Sequence, residues 1–448
     1  MVDREKKISS RKAEEVTSSF TRREFFVRLA AGSAVTLSSL SAATAAIYQS
    51  ISSLNQKYIG DESPDGLYWE SLRKHFLFED GLVMMNNGTV GPMPKPVYNT
   101  LMRYFKLQVT NPYDVYNFIP TLKEQVRRKL ADFVGAAPEE VVITHNTTEG
   151  INFVSAGLDM REGDEVIVSN MEHPGAINPW RLKQKRYGIV IKEIPLGVPP
   201  KNVSEVVEAV ASAVTPRTKI ISLGHTVYVT GLISPLKELS QMAREKGILV
   251  LADSAHGLGM LDLHMKELGV DFFSSSPYKW CGAPTGVGLL YVRKEAQDKV
   301  WPTIVTSGWD THQDARKYAA HGQDADALIF ALGEALDFQN AIGRRRIERR
   351  IKTLAAYLKQ GLRAIPGTKI HTPEDPYLSG GLTAFSLEGV DPAKIVDYVR
   401  EKFNIVVRTI GNREAGTYAV RVSTPMYITF RDIDNFLEGV ATLAQHRS

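Results

Sequence analysis

The stretch Asp271-Phe-Phe-Ser-Ser-Ser-Pro-Tyr-Lys279-Trp-Cys-Gly-Ala-Pro-Thr-Gly-Val-Gly-Leu-Leu-Tyr-Val-Arg293 carries the reading of this chain. Two short apolar runs flank a Ser-rich turn with one lysine and then a Gly/Pro turn. The pattern predicts strand, turn, strand, and sets Lys279 at the mouth of a sheet. An amine in such a place is a useful nucleophile only when burial or neighbouring cations lower its pKa, and lysine shifts readily. The competing reading is an ordinary loop lysine, and the stretch alone does not choose.

The rest of the chain supplies the context. Apolar runs at 141–144, 165–169, 190–194, 219–223, 248–252, 271–274 and 288–292 alternate with helical or loop segments, of which 205–214 and 236–246 have the clearest helical spacing. This alternation predicts an α/β fold with a mostly parallel seven-stranded sheet, whose ligands bind beyond the carboxyl ends of the strands. Helices are also predicted at 68–78 and 122–133. From about residue 325, helical patterns at 327–341 and 344–365, short strands at 383–387, 405–407 and 419–422, and a helix from Ile433 predict a small C-terminal α+β domain. The expected organisation is a leader (1–45), a linker with an N-terminal helix (46–81), a large domain (82–324) and a small domain (325–448).

The leader reading rests on Thr21-Arg22-Arg23-Glu24-Phe25-Phe26, followed by an uncharged segment rich in Ala, Ser and Thr. It resembles a twin-arginine export signal, with Ala43-Thr44-Ala45 as a small-residue cleavage site. A basic amphipathic helix or a membrane span is the competing reading, but Leu, Ile, Val and Phe are sparse for a span. The resemblance implies the twin-arginine translocase as a partner, an exported, periplasmic or extracytoplasmic location, and retention as an anchor if the signal stays uncleaved. That route carries folded, often cofactor-bearing proteins.

Composition narrows the class. With 43% hydrophobic and 23% charged residues in 448, the chain can bury a large core, and a formal charge of +4 does not imply nucleic acid. One cysteine, Cys281, rules out an internal disulfide and a Cys-rich metal site.

Three strand ends hold chemistry. After 141–144 comes His145-Asn-Thr147-Thr148-Glu149-Gly-Ile-Asn152, hydroxyls at a helix start that suit a phosphate, or else a Thr N-cap. After 165–169 comes Asn170-Met-Glu172-His173-Pro174-Gly175, and after 248–252 comes Asp253-Ser254-Ala255-His256-Gly257. A lysine, a carboxylate, an imidazole and a phosphate cup match the needs of pyridoxal 5′-phosphate: an amine for its aldehyde, an acid for its ring nitrogen and an anchor for its phosphate. No Gly-rich dinucleotide fingerprint or P-loop competes. Earlier in the chain, Asn86-Asn87-Gly88-Thr89-Val90-Gly91-Pro92 reads as a turn whose amides offer donors to an anion.

These motifs, in this order, resemble the class V aminotransferase family of fold-type I enzymes, which includes cysteine desulfurases, kynureninase and isopenicillin N epimerase. The likeness runs from about Leu82 to the C-terminus and leans toward the epimerase-like branch. It implies that Lys279 forms the imine with the cofactor, that Asp253 pairs with the ring nitrogen, that His173 stacks on the ring and that His256 contacts its 3′-oxygen. Thr148 and Ser276 are the implied phosphate ligands, and Thr147 beside them is an implied cofactor residue. Tyr418-Ala-Val-Arg421-Val-Ser-Thr-Pro resembles the segment whose arginine grips a substrate α-carboxylate, and Asn87 is expected to join Arg421 at the substrate. Arg408 is a second carboxylate candidate, with a surface arginine as the competing reading.

Three positions depart from the family pattern: Tyr278 stands where His is usual, Gln323 where many members carry a Thr reaching a neighbouring subunit's phosphate, and Ile428 where Asn follows Tyr427. Cys281 is not in the later loop that carries a desulfurase nucleophile, so desulfurase chemistry is not expected. The implied function is chemistry at the α-carbon of an amino-acid substrate, with Lys279 as general base, Asp253 and His173 as the other catalytic groups, and a homodimer as the working form. A β-eliminating C–S lyase, a transaminase and a non-catalytic exported protein that kept the fold remain as alternatives.

Overall fold

A computed structural model describes residues 42–58, 67–306, 309–319, 322–411 and 417–445. The chain divides into two compact units, 1–46 and 47–448. The twin-arginine motif lies outside the described residues, whereas Ala43-Thr44-Ala45 falls within the helix Ala42–Lys57. Among the described residues no helix is long and apolar enough to cross a membrane.

The strands, in chain order, are β1 (Val83–Met84), β2 (Val141–Thr144), β3 (Glu165–Ser169), β4 (Val190–Ile194), β5 (Thr218–Gly224), β6 (Leu249–Ser254), β7 (Phe272–Ser275), β8 (Gly288–Val292), β9 (Thr368–Ile370), β10 (Leu382–Leu387), β11 (Ile405–Val406), β12 (Arg408–Ile410) and β13 (Ala419–Ser423). β2 to β8 form a seven-stranded sheet in the order β2-β8-β7-β6-β5-β3-β4. Six strands share one direction and β8 alone runs against its neighbours β7 and β2. This is the mostly parallel sheet that the alternating pattern predicts, and the fold is of fold-type I. β3, β6, β7 and β8 are buried along their whole length, as strands covered on both faces must be. β4 lies at an edge and is accordingly mixed, with Lys192 and Glu193 in its Val-Ile-Lys-Glu-Ile run.

Helices cover both faces. One core layer joins Leu130 and Leu332 to Ile221 and Phe273, and the other joins Val154 and Trp180 to Leu251 and Phe272. The helix predicted at 122–133 begins earlier, at Pro112, and continues through Pro120. The helix predicted at 68–78 is shorter, Leu67–Arg73. It packs Trp69 and Leu72 into a third core with Leu354, Leu358, Phe385 and Phe436 of the C-terminal region.

In the C-terminal region an antiparallel sheet, β12-β13-β10-β9, lies with the helices Arg344–Ala364, Pro392–Phe403 and Phe430–Gln445. β1 pairs in parallel with β11 through Val83↔Ile405 and Met84↔Val406. This pairing leads the Asn86–Gly91 turn between the C-terminal sheet and the lysine turn. There the Gly91 N–H donates to the Tyr278 carbonyl at 3.0 Å. A Cβ at Gly91 would stand 2.3 Å from the Lys279 carbonyl oxygen, a backbone atom with no freedom to withdraw. Gly91→Ala is therefore expected to destabilise the fold by about 1–3 kcal/mol through overpacking, read as a lower denaturation midpoint in guanidinium chloride. An unchanged midpoint would contradict that close approach.

Candidate active site

The carboxyl ends of β2, β3, β5, β6 and β7 meet in one cavity. The helix Thr147–Gly157, which follows β2, is capped by Asn146, whose side-chain oxygen accepts the Glu149 N–H at 3.0 Å. The cap is thus Asn146, not the threonine that the sequence had offered as an alternative. Thr147 instead turns its N–H and hydroxyl onto the Ser276 hydroxyl, at 3.1 and 2.7 Å, tying the helix start to the lysine turn. His173, after β3, caps the helix Pro174–Tyr187 and accepts the Gly175 N–H on Nδ1 at 3.0 Å. Thr147, Thr148, His173, Asp253, His256, Ser276 and Lys279, the seven expected cofactor residues, all line this cavity.

The electrostatics follow from burial. The Lys279 amine is brought down to about 8, first by burial and then by the guanidiniums of Arg421 and Arg408, against the opposing pull of Asp253. Burial raises Asp253, and Lys279 and the Ala255 N–H at 3.1 Å hold it back. His173 and, further, His256 are lowered by burial and stay neutral imidazoles at neutral pH. Trp280 Nε1 donates to His256 Nδ1 at 3.4 Å, which leaves the ring hydrogen on Nε2. Behind Asp253, His225 is driven to about 4 by burial, with Nδ1 2.8 Å from the Ser254 hydroxyl and its N–H donating to the Asp253 carbonyl at 2.7 Å.

Arg421 arrives from β13 and is 2% exposed. Its Nη1 donates to the Tyr228 carbonyl at 3.0 Å, its Nη2 reaches Asn86 Oδ1 and Thr89 Oγ1 only at 3.5 Å, and its buried Nε has no partner among the described residues. Such under-used donors fit an anion that joins them. A Cβ at Gly88 would lie 2.5 Å from Arg421 Cζ, so the guanidinium packs flat on a backbone that only glycine leaves open.

Asn87 packs against the lysine turn. Its side-chain amide donates to the Lys279 carbonyl at 2.8 Å and its oxygen accepts from the Tyr427 hydroxyl, so it positions the lysine's backbone. Tyr278 lines the cavity, whereas Gln323 lines a different one with Lys123, Arg127 and Arg316. Ile428 is wholly buried behind Tyr427, and Arg408 is exposed.

The sequence reading missed Thr226 and Tyr228 and did not assign Glu172, although all three line the cavity. Thr226 carries a buried hydroxyl without a partner. Glu172, pushed up to about 7 by burial, accepts the Ser169 hydroxyl at 2.6 Å. The signal for Thr226 and Tyr228 was present: they follow the carboxyl end of β5, the position that drew notice after its neighbours. With its amine near 8 against an ordinary 10.5, Lys279 loses its proton at lower pH than an exposed lysine. Labelling of Lys279 by an amine reagent in protein freed of any bound cofactor, followed by peptide mass spectrometry, is expected to rise with a midpoint near 8. Asp253 opposes that fall, so Asp253→Asn should move the midpoint lower still; a midpoint near that of the surface lysines would refute the burial argument.

Comparison with known proteins agrees with this geometry. The sequence pattern of the family described as aminotransferase class-V matches residues 83–436. Isopenicillin N epimerase of Streptomyces clavuligerus is 28% identical over 392 residues, 84% of this chain and 98% of that protein. A cysteine desulfurase of Cronobacter sakazakii is 30% identical over 338 residues, covering 71% and 81%. Among solved structures, the cystine C–S lyase C-DES, in complex with its reaction product cysteine persulfide, superposes with a TM-score of 0.72 at 26% identity, covering 80% of this chain and 97% of that one. The family pattern spans β1 to the last helix and takes in every strand end that builds the cavity, so the chain belongs to the class-V aminotransferase family.

Proposed function

We propose that the chain is a pyridoxal 5′-phosphate enzyme acting at the α-carbon of an amino acid, along the lines of isopenicillin N epimerase. The observation that carries this reading is the single cavity in which a lowered amine, a desolvated carboxylate and a hydroxyl-bearing helix start converge. That donor set fits the cofactor, which when bound supplies an electron sink for the substrate α-carbon. Asp253 suits a protonated ring nitrogen, since a cation relieves its burial. His173 would cover the ring, and His256 could offer its Nε2 hydrogen to the ring oxygen. Thr148, Ser276 and the amino end of the helix Thr147–Gly157 suit the phosphate. Arg421 would hold the α-carboxylate in a two-pronged bond, and the Lys279 amine would take the α-proton, with a proton returned to the opposite face giving the epimer.

Sulfur transfer through a protein thiol is not supported: Cys281 is fully buried and burial pushes its thiol up, so no thiolate reaches the cavity. Elimination without such a thiol is the second reading, favoured by the likeness to the cystine C–S lyase.

A homodimer is part of the proposal. On the helix Lys95–Thr110, Tyr98, Met102, Phe105 and Val109 recur at helical spacing and are 43%, 47%, 57% and 64% exposed, an apolar stripe that calls for a partner. Export by the twin-arginine route is proposed on the Arg22-Arg23 motif alone.

Purified protein is expected to absorb near roughly 410–430 nm, and borohydride should fix the cofactor's mass on Lys279. A colourless protein with unmodified Lys279 would end the cofactor reading. Incubation with an amino-acid panel in deuterated water then separates the chemistries: α-deuterium with racemisation supports epimerisation, whereas pyruvate with ammonia supports the lyase and overturns it. Light scattering should report a dimer that Phe105→Glu dissociates, and a monomeric parent chain would refute the stripe as an interface.

A further inference from the structure

Arg408 and Arg421 stand directly opposite one another across the antiparallel pair β12 and β13. Directly opposed residues leave a sheet on the same face. Their guanidiniums converge on one hydroxyl, with Arg408 Nη1 3.1 Å and Arg421 Nη2 3.5 Å from Thr89 Oγ1. Apart from that bond, Arg408 donates only to the Thr409 carbonyl, at 3.2 Å, and among the described residues no carboxylate pairs with either arginine. Like charges placed opposite each other in a sheet repel. Arg421 registers this, lowered to about 9 by burial and then by Arg408. Through Thr89, Arg408 adjoins Arg421, which donates to the carbonyl of Tyr228, a residue that lines the cavity, so Arg408 stands at the cavity's approach and not on a remote surface.

The two arginines differ in depth. Arg421 is 2% exposed, whereas Arg408 is exposed at the solvent side. A pair of cations held side by side, with no carboxylate paired to either among the described residues, one deep and one shallow, suits two anionic groups on one molecule. We propose that Arg408 receives a second carboxylate, so that the site takes α-amino acids with an acidic side chain. The proposal rests on the reading of Arg421 as the anchor of the α-carboxylate. Arg421 holds the carboxylate beside the reacting carbon, and Arg408 holds the one at the far end of the side chain. The flat guanidinium fork matches a carboxylate at each place.

The test uses the full chain and probes that lack an amine, so that it does not depend on a covalent bond at Lys279. Calorimetry is expected to show glutarate binding at least tenfold tighter than butyrate, and Arg408→Gln should bring the two to parity. Arg408→Lys, which keeps the charge without the fork, should retain part of the preference. Melting temperatures check that each variant is folded, and an unfolded Gln variant leaves the Lys variant and the parent's own preference as the measurements that decide. A parent chain without preference, or an Arg408→Gln variant that weakens both probes equally, overturns the proposal; the latter would mean that both arginines share one carboxylate. Failure of the cofactor reading would appear separately, as no mass fixed on Lys279 by borohydride.

Discussion

Two opposite charges held out of water at the carboxyl edge of the sheet, Asp253 closing β6 and Lys279 following β7, set the terms for the rest of the structure. Burial pushes each toward its neutral form, and the charge of the other holds it back. The surrounding polar groups are accordingly tied down. Ser274 donates to the Thr147 carbonyl at 3.0 Å, Ser275 to the Ser254 carbonyl at 2.7 Å, and Ser276 meets the Thr147 hydroxyl at 2.7 Å. The three consecutive serines thus reach β6 and the helix after β2, and hold the lysine turn against both. A run that looks like a low-information turn in one dimension is a set of cross-links in three.

The same turn is gripped from the other side. Asn87 holds the Lys279 carbonyl, Gly91 holds that of Tyr278, and Gly88 gives Arg421 a flat surface. Six residues therefore position both the amine and the anchoring guanidinium, and they are themselves fixed by the pairing of β1 with β11. A displacement of the C-terminal strands would reach Lys279 through this loop. Residues from near the start of the fold thus tie the C-terminal strands to the lysine turn within the single unit 47–448.

Much of this was legible beforehand. The seven strands of the large sheet were read at their positions because fully buried strands are short, continuous apolar runs, and the chain places turn residues between them. The candidate cofactor residues come together in one cavity because the carboxyl ends of parallel strands are where ligands bind. What escaped notice has a common cause. Asn87 was read for its amide without knowledge that Lys279 and Tyr427, 192 and 340 residues away, claim that amide's two ends. Thr226 and Tyr228 carry no signature by type, and only their shared cavity with Lys279 gives them meaning.

The order of residues by itself determined the class of fold, the candidate lysine, carboxylate and phosphate cup, and the family pattern, because each is written in local spacing at a strand end. Tertiary structure alone decided which donors are free and which are taken. It set Arg408 opposite Arg421, gave Asn87 to the backbone of Lys279, and lowered the amine to about 8. Register between strands and the loss of water around a charge are properties of residues distant in the chain, and no window of sequence contains them.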